Sequence, residues 1–444
     1  MKSRRKRLLA AGVLLVGLTS AFLWLVGVRI GHIRFLVQLF SEPPTLSTEE
    51  TAELHKWLRE ESVHLKTVAA GSGFDDMQPL KAMIGDARIV ALGEAEHMNR
   101  DFYRVKHRMV EFLVNEMDFT VFAIEATFAG ALELNDYILT GDGTPEEALA
   151  TLVYPAWRTE EVLEMVKWMR HYNATHEKKI KFYGFDSKPA TGSAKAVYDF
   201  LKKTNGTKDY DQLLLSLMQL SITLRKWEGP NEELRKSLEQ IKGLITYLEN
   251  QRPAHARSSS QQEIQSHRQW RLAVRHAMVL LQNAEFLSAP SISKASDLRD
   301  KSMADNVRWL MDYEKGAKII LWAANPHVMT TPYSGSMGDY LRQACGKDMV
   351  VFDLMCNRES GALSPGSTDQ GYGAPKGSVE ALLTEAGLDM AVINLRSLPK
   401  GAVSKYFNAP RKTGSIANLF PWAYDAILFI ESTTNARPIG ASIP

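Results

Sequence analysis

Cysteine is nearly absent: the 444 residues hold two, Cys345 and Cys356. No Cys-x-x-Cys pair and no Cys/His spacing is there to build a zinc site, and two cysteines make no disulfide framework. Two free buried thiols are at least as good a reading as one bridge. Charge of one sign is missing too. Lys+Arg number 53 against 51 Asp+Glu, so the composition carries no footprint of a nucleic-acid binder. There is no internal repeat and no low-complexity tract. A serine nucleophile would be advertised by Gly-x-Ser-x-Gly at a strand-to-helix turn, and "GSGF", "SGSMG" and "GSIAN" do not fit that context.

One long uncharged run is present, from Leu8 to Val28, behind Lys2, Arg4, Arg5, Lys6 and Arg7. About twenty such residues span a bilayer as a helix. The basic cluster would stay in the cytoplasm and place the C-terminal bulk outside. The other reading is a cleaved signal peptide, with Thr19 and Ala21 as a poor cleavage site, which would leave the domain secreted. The expected layout is an anchor and flank over residues 1–40, a polar linker "SEPPTLSTEE" over 41–50, and one domain over 51–444. An amphipathic helix is expected near 48–67.

With 45% hydrophobic residues the chain can bury a large core. Seven short runs mark it: "ARIVALGE" (87–94), "FTVFAIEA" (119–126), "KIKFYGFDS" (179–187), "AKIILWAANPH" (317–327), "DMVVFDLMC" (348–356), "DMAVINLRS" (389–397) and "YDAILFIES" (424–432). Each is nearly continuously apolar, as strands buried on both faces are. Helical patterns separate them. The fold class expected is α/β, with a largely parallel central sheet flanked by helices. Residues from about 207 to 315 hold only helical patterns and read as an inserted helical subdomain, whose most loop-like part is "RPAHARSSSQQ" (252–262).

Ligands of open α/β sheets bind beyond the carboxyl ends of the strands. Four successive runs end there in ionisable or amide groups: Glu94, Glu96 and His97; Glu125; Asp186; Asn325 and His327. Any one could be a cap or a turn residue. Glu125 is harder to dismiss, because a carboxylate inside an apolar run needs a partner. In "RDFYRVKHRMVEFL", Lys106 falls on the edge of the apolar face, either as a snorkelling side chain or as part of the site. Arg108 borders the same face and could reach a carboxylate such as Glu125. A histidine can take a proton from water, a carboxylate can hold its ring, and a cation can stabilise the resulting oxyanion. The candidate catalytic set is His97, Glu94, Glu125, His327, Lys106 and Arg108; Asp186 and Asn325 are candidate substrate-binding groups. No cofactor and no metal ligand is assigned.

At these residues the chain resembles the erythromycin esterase family. "LGEAEHMNRDFYRVKHRMVEFLVNEMDFTVFAIEA" is similar to its GExxH segment and the AIEA that follows. "YPAWRTEEVLEMVKWMRHYN", "GFDS", "RDKSMADNVRWL", "WAANPHV", "MGDYL" and "YDAILFIESTT" follow in the family's order. The resemblance implies an α/β fold with an inserted helical portion and a cleft between them. It implies hydrolysis of a small-molecule ester or lactone, with His97 as general base, and carries over Glu94, Glu125, Lys106, Arg108 and His327. The family usually has Thr-His-Gly where Glu96-His97-Met98 stand, and often His where Ala324 stands. Two other readings stay open: a haem- or ligand-binding module of related fold, and a metal-dependent hydrolase of another ester.

Overall fold

The computed structural model describes residues 45–204, 210–223, 226–253, 261–331, 334–360, 372–409 and 423–440. The expected anchor and the first part of the linker lie outside these residues, as does most of "RPAHARSSSQQ". The linker ends earlier than its composition implied, because Ser47 caps the helix Thr48–Glu61. The Ser47 hydroxyl accepts from the Glu50 amide, and the Glu50 carboxylate accepts from the Ser47 amide.

Among the described residues nine strands form one sheet: β1 Val63–His64, β2 Ile89–Leu92, β3 Phe119–Thr127, β4 Lys181–Asp186, β5 Lys318–Trp322, β6 Met349–Ser360, β7 Tyr372–Gly373, β8 Met390–Asn394 and β9 Ala426–Thr434. Their order is β1-β8-β9-β6-β2-β5-β3-β4, with β7 on β6. The neighbours from β9 through β6, β2, β5 and β3 to β4 are parallel. The pairs β1–β8, β8–β9 and β6–β7 are antiparallel. All seven apolar runs are strands of this mostly parallel sheet. The two-residue strands β1 and β7 are too short to leave a pattern in the sequence.

Alternate side chains serve opposite cores. Val90, Leu92, Phe122, Ile124, Ile320 and Trp322 pack under the helix Arg100–Met117. Ile89, Ala91, Val121, Ala123, Ile319 and Leu321 pack under the helices Ile292–Tyr313 and Met337–Cys345. So the helix after β2 covers one face, the helix after the neighbouring β5 covers the other, and a crevice opens where they part.

The helical interval is not one unit. Helices Asp211–Thr223, Glu232–Asn250 and Gln261–Leu287 share a separate core with the helix Thr191–Lys203. The helix Ile292–Tyr313, placed within the insertion by the sequence reading, belongs largely to the sheet, because Met303, Val307 and Leu310 face its second side. Among the described residues Cys345 and Cys356 form no disulfide, and both are half-buried.

Gly93 fixes how β2 ends. Its amide donates to Phe352 O (2.8 Å), and the Ala95 amide donates to Leu354 O (3.1 Å). A Cβ on Gly93 would lie 1.9 Å from Asn325 Oδ1 and 2.9 Å from Phe352 O. Asn325 cannot swing away, because its Nδ2 donates to Asp353 (2.6 Å) and to Leu354 O (3.2 Å). Gly93→Ala is expected to cost about 1–3 kcal/mol in denaturant unfolding. Gly243→Ala, in a helix where the added Cβ would meet only Tyr210 Oη at an ordinary 3.8 Å, is expected to gain about 0.5–1 kcal/mol. Equal effects would contradict the account of Gly93.

Candidate active site

Glu94 is fully buried just past β2. One oxygen meets His97 Nδ1 at 2.5 Å. The other accepts from Lys106 Nζ (2.7 Å) and Trp322 Nε1 (2.9 Å). Three pieces of chain therefore converge on one carboxylate: its own loop, the following helix and β5. The helix is aimed by Asn99, whose side chain caps it at the Phe102 amide. Lys106 is wholly buried, with its ammonium 4.4 Å from the centre of the Trp322 ring. Burial pushes its pKa down to about 8, against the pull of Glu94.

His97 is the open end of this set, with 39% of its side chain exposed. What burial it has lowers its pKa, but the hydrogen bond and charge of Glu94 outweigh that and raise it above the ordinary 6.5. The edge of Trp157 packs on the imidazole at 5.1 Å. Trp157 is itself held by an Nε1 hydrogen bond to Glu125 O (3.0 Å). Met98, next in the chain, has φ 64°, a conformation that glycine adopts freely and other residues at a cost of about 1–2 kcal/mol. The Tyr103 hydroxyl accepts from its amide and the Ala436 amide donates to its carbonyl, which hold it there.

A second cluster centres on Arg299. Its Nη2 donates to Glu125 (2.6 Å) and Asp186 (2.7 Å), and its Nε to Asp186 (3.2 Å). The other oxygen of Glu125 accepts from the Ala324 amide at 3.0 Å. His327 lies with Nδ1 2.8 Å from Asp300 and Nε2 3.3 Å from Glu125. Burial opposes charge on His327, but Glu125 and Asp300 lift its pKa to about 10. The ring is therefore an imidazolium at neutral pH. The 2.9 Å approach of Arg299 Nη1 to its Nε2 is then a contact of like charges, sustained by the three carboxylates around them. Burial also opposes charge on Glu125, yet His327 and Arg299 hold its carboxyl well below the usual range. The clusters feel each other: Glu125 helps to raise the His97 pKa, and His97 helps to lower that of Glu125.

The structure thus groups Glu94, His97 and Lys106 in one set, and Glu125, His327 and Asp186 in the other. Four sequence assignments change. Arg108 does not reach Glu125; it binds Asp76 (2.6 and 3.0 Å) and the carbonyls of Thr67 and Gly73. Two residues beyond Lys106 is about 200° of helical turn, which points it away from the cleft. Lys106 is sealed beneath Glu94, so it positions that group rather than meeting an oxyanion. Asn325 and Asp186 are fully buried; Asn325 braces the β2 loop through Asp353 and Leu354, and Asp186 is ion-paired with Arg299. Arg299, Asp300, Trp157 and Trp322 were missed. Reading site residues only from strand ends gave no role to "RDKSMADN", where an Arg-Asp pair stands at the head of an apolar helical stripe. Among the described residues, no three His, Cys, Asp or Glu side chains are grouped to hold a metal ion.

The erythromycin esterase family model matches residues 114–433. The chain belongs to the erythromycin esterase family. That match begins after the Glu94–His97 segment, so the membership and the geometry of this loop are separate observations. The chain is 27% identical to erythromycin esterase type II of Escherichia coli over 388 residues, 78% of this chain and 89% of that enzyme. A Bacillus cereus protein of known crystal structure matches 89% of this chain and all of its own, at a TM-score of 0.74 and 24% identity. The open conformation of the erythromycin esterase EreC matches 84% of this chain and 96% of its own, at a TM-score of 0.59 and 18% identity. Both structures share the fold.

The charge state of His327 in this esterase-family site has a consequence for stability. Its pKa is raised on folding from about 6.5 to about 10. The stabilisation is complete below pH 6.5 and falls, by up to roughly 1.4 kcal/mol per pH unit, as pH rises to 10. Lys106, lowered on folding, acts in the opposite direction above pH 8. Comparison with His327→Gln, which retains Lys106, isolates the histidine. The unfolding free energy of the wild type is expected to lose more between pH 7 and 10 than that of His327→Gln. Parallel curves would contradict the assigned charge.

Proposed function

We propose that this protein hydrolyses a carboxylic ester or lactone by direct attack of water, with His97 as general base. The observation that carries the reading is a partly exposed histidine whose Nδ1 is tied to a fully buried carboxylate. Nδ1–H donates to Glu94, which leaves Nε2 as the basic atom. Water gives its proton to Nε2 as its oxygen bonds to the carbonyl carbon. Glu94 and Glu125 stabilise the imidazolium so formed. The tetrahedral intermediate then expels the alcohol, which takes the proton back from Nε2. No covalent enzyme intermediate is needed. Arg299 and His327, each with 15% of its side chain exposed, bring positive charge to the edge where the oxyanion develops. Lys106 opposes Glu94 at His97 and keeps the base from becoming too strong.

A panel of p-nitrophenyl esters and macrolactones tests this. His97→Ala is expected to lower kcat/KM by roughly 10²–10⁴-fold, and Glu94→Gln by a comparable amount. The rate should fall as pH drops through a His97 midpoint above 6.5, and Lys106→Met should move that midpoint upward. Equal rates for wild type and His97→Ala would remove the reading.

We also propose, on the sequence of residues 2–28 alone, that the domain is tethered to a membrane with its bulk extracytoplasmic. Among the described residues no helix is long and apolar enough to cross a membrane, so the tether rests on that stretch. The full chain is expected to sediment with membranes and resist alkaline extraction, and a chain starting at residue 45 to stay in the supernatant. The same fate for both would refute it.

A further inference from the structure

One cation at the site, Lys188, has no ion-pair partner among the described residues. It follows β4 and is half-buried. Its ammonium lies 4.8 Å from the ring centre of Phe286. It is close enough to Asp186, Glu125, Asp300 and Arg299 to feel their charges. The contacts of those acids, however, are with Arg299, His327 and backbone amides. Burial and the Arg299 charge lower the Lys188 pKa, and the charges of Asp186, Glu125 and Asp300 offset them only in part.

The surroundings are unfinished in the same way. Ser187, beside it, is 1% exposed and its hydroxyl has no hydrogen-bond partner. On the helix Gln261–Leu287, Gln282 and Asn283 stand one turn before Phe286, on the same face. They are 6% and 4% exposed, and Gln282 Oε1 and Asn283 Nδ2 are also unpartnered. Buried polar groups are normally paired; here Ser187 adjoins Lys188 in the chain, and Lys188 meets the inserted helix at Phe286, one turn from Gln282 and Asn283.

We infer that Ser187, Lys188, Gln282 and Asn283 form a substrate subsite for a carboxylate-bearing acyl group, with Phe286 holding the Lys188 ammonium in place. This rests on the esterase reading for the reaction but not for binding. The anion completes Lys188 through a charge-assisted hydrogen bond. Ser187 and Asn283 supply further donors, and Gln282 accepts from a hydroxyl of the substrate. Specificity then comes from the junction between insertion and sheet, beside the water-activating pair.

Two esters with one leaving group provide the test: neutral p-nitrophenyl butyrate and the p-nitrophenyl monoester of glutaric acid. The wild type is expected to favour the anionic ester. Lys188→Gln should lose at least roughly tenfold more kcat/KM on it than on the butyrate, mainly through KM. Lys188→Arg should recover part of that loss, and added salt should shrink the preference. Equal losses on both esters, or a wild-type preference for butyrate, would overturn the subsite. Glutarate titrated into the same proteins, followed by tryptophan fluorescence, gives a second arm that needs no catalysis. Binding at least roughly tenfold weaker in Lys188→Gln supports the subsite, and equal binding, or none to the wild type, overturns it. If neither ester is cleaved the hydrolase reading fails, and the titration still decides this one.

Discussion

A carboxylate sealed from water is the constraint around which the site is built. Left alone, the Glu94 charge would cost several kcal/mol to bury. It is kept by a lysine from the helix after β2, an indole from β5 and a histidine from its own loop. Each partner is useful because it is fixed. Lys106 and Trp322 occupy one oxygen and so aim the other at His97. The Gly93 backbone and the Asn325 side chain leave the loop no room to drift. Energy spent on burying a charge is thereby returned as a histidine with a set tautomer and a raised pKa.

The sheet explains why two clusters coexist. Glu94 works with Lys106 and Trp322 on the side of the first core, and Glu125 shares the parity of Val121 and Ala123, which face the second. Arg299 comes from the helix that covers that second side. The two sets meet at the strand ends, where helices after β2 and β5 part to opposite faces. Trp157 bridges them, touching His97 with its ring and Glu125 with its indole nitrogen.

Much of this was legible in the sequence because its signals are local. Continuous apolar runs give buried parallel strands whatever lies between them, and a charge ending such a run stands out. The cation that grips Glu125 was not legible. Arg299 is 174 residues from its partner, on a helix that looks like part of the insertion until its apolar stripe is seen to face the sheet. Arg108 was misread because a position beside an apolar face does not say which neighbour the guanidinium meets. Asp76 lies in a single 3-10 turn, Asp75–Met77, too short to leave a pattern, and it is that turn which takes the arginine. Asn325 and Asp186 read as substrate groups because they stand at strand ends, but a strand end also needs polar side chains to brace its loops.

The central claim is that Glu94 makes His97 a histidine poised to take a proton from water. The direct measurement is the titration of the His97 ring, followed by NMR in the wild type and in Glu94→Gln. The account predicts a midpoint above 6.5 in the wild type and one below it in the variant, where burial acts without the opposing carboxylate. A wild-type midpoint at or below 6.5, unmoved by Glu94→Gln, would contradict it.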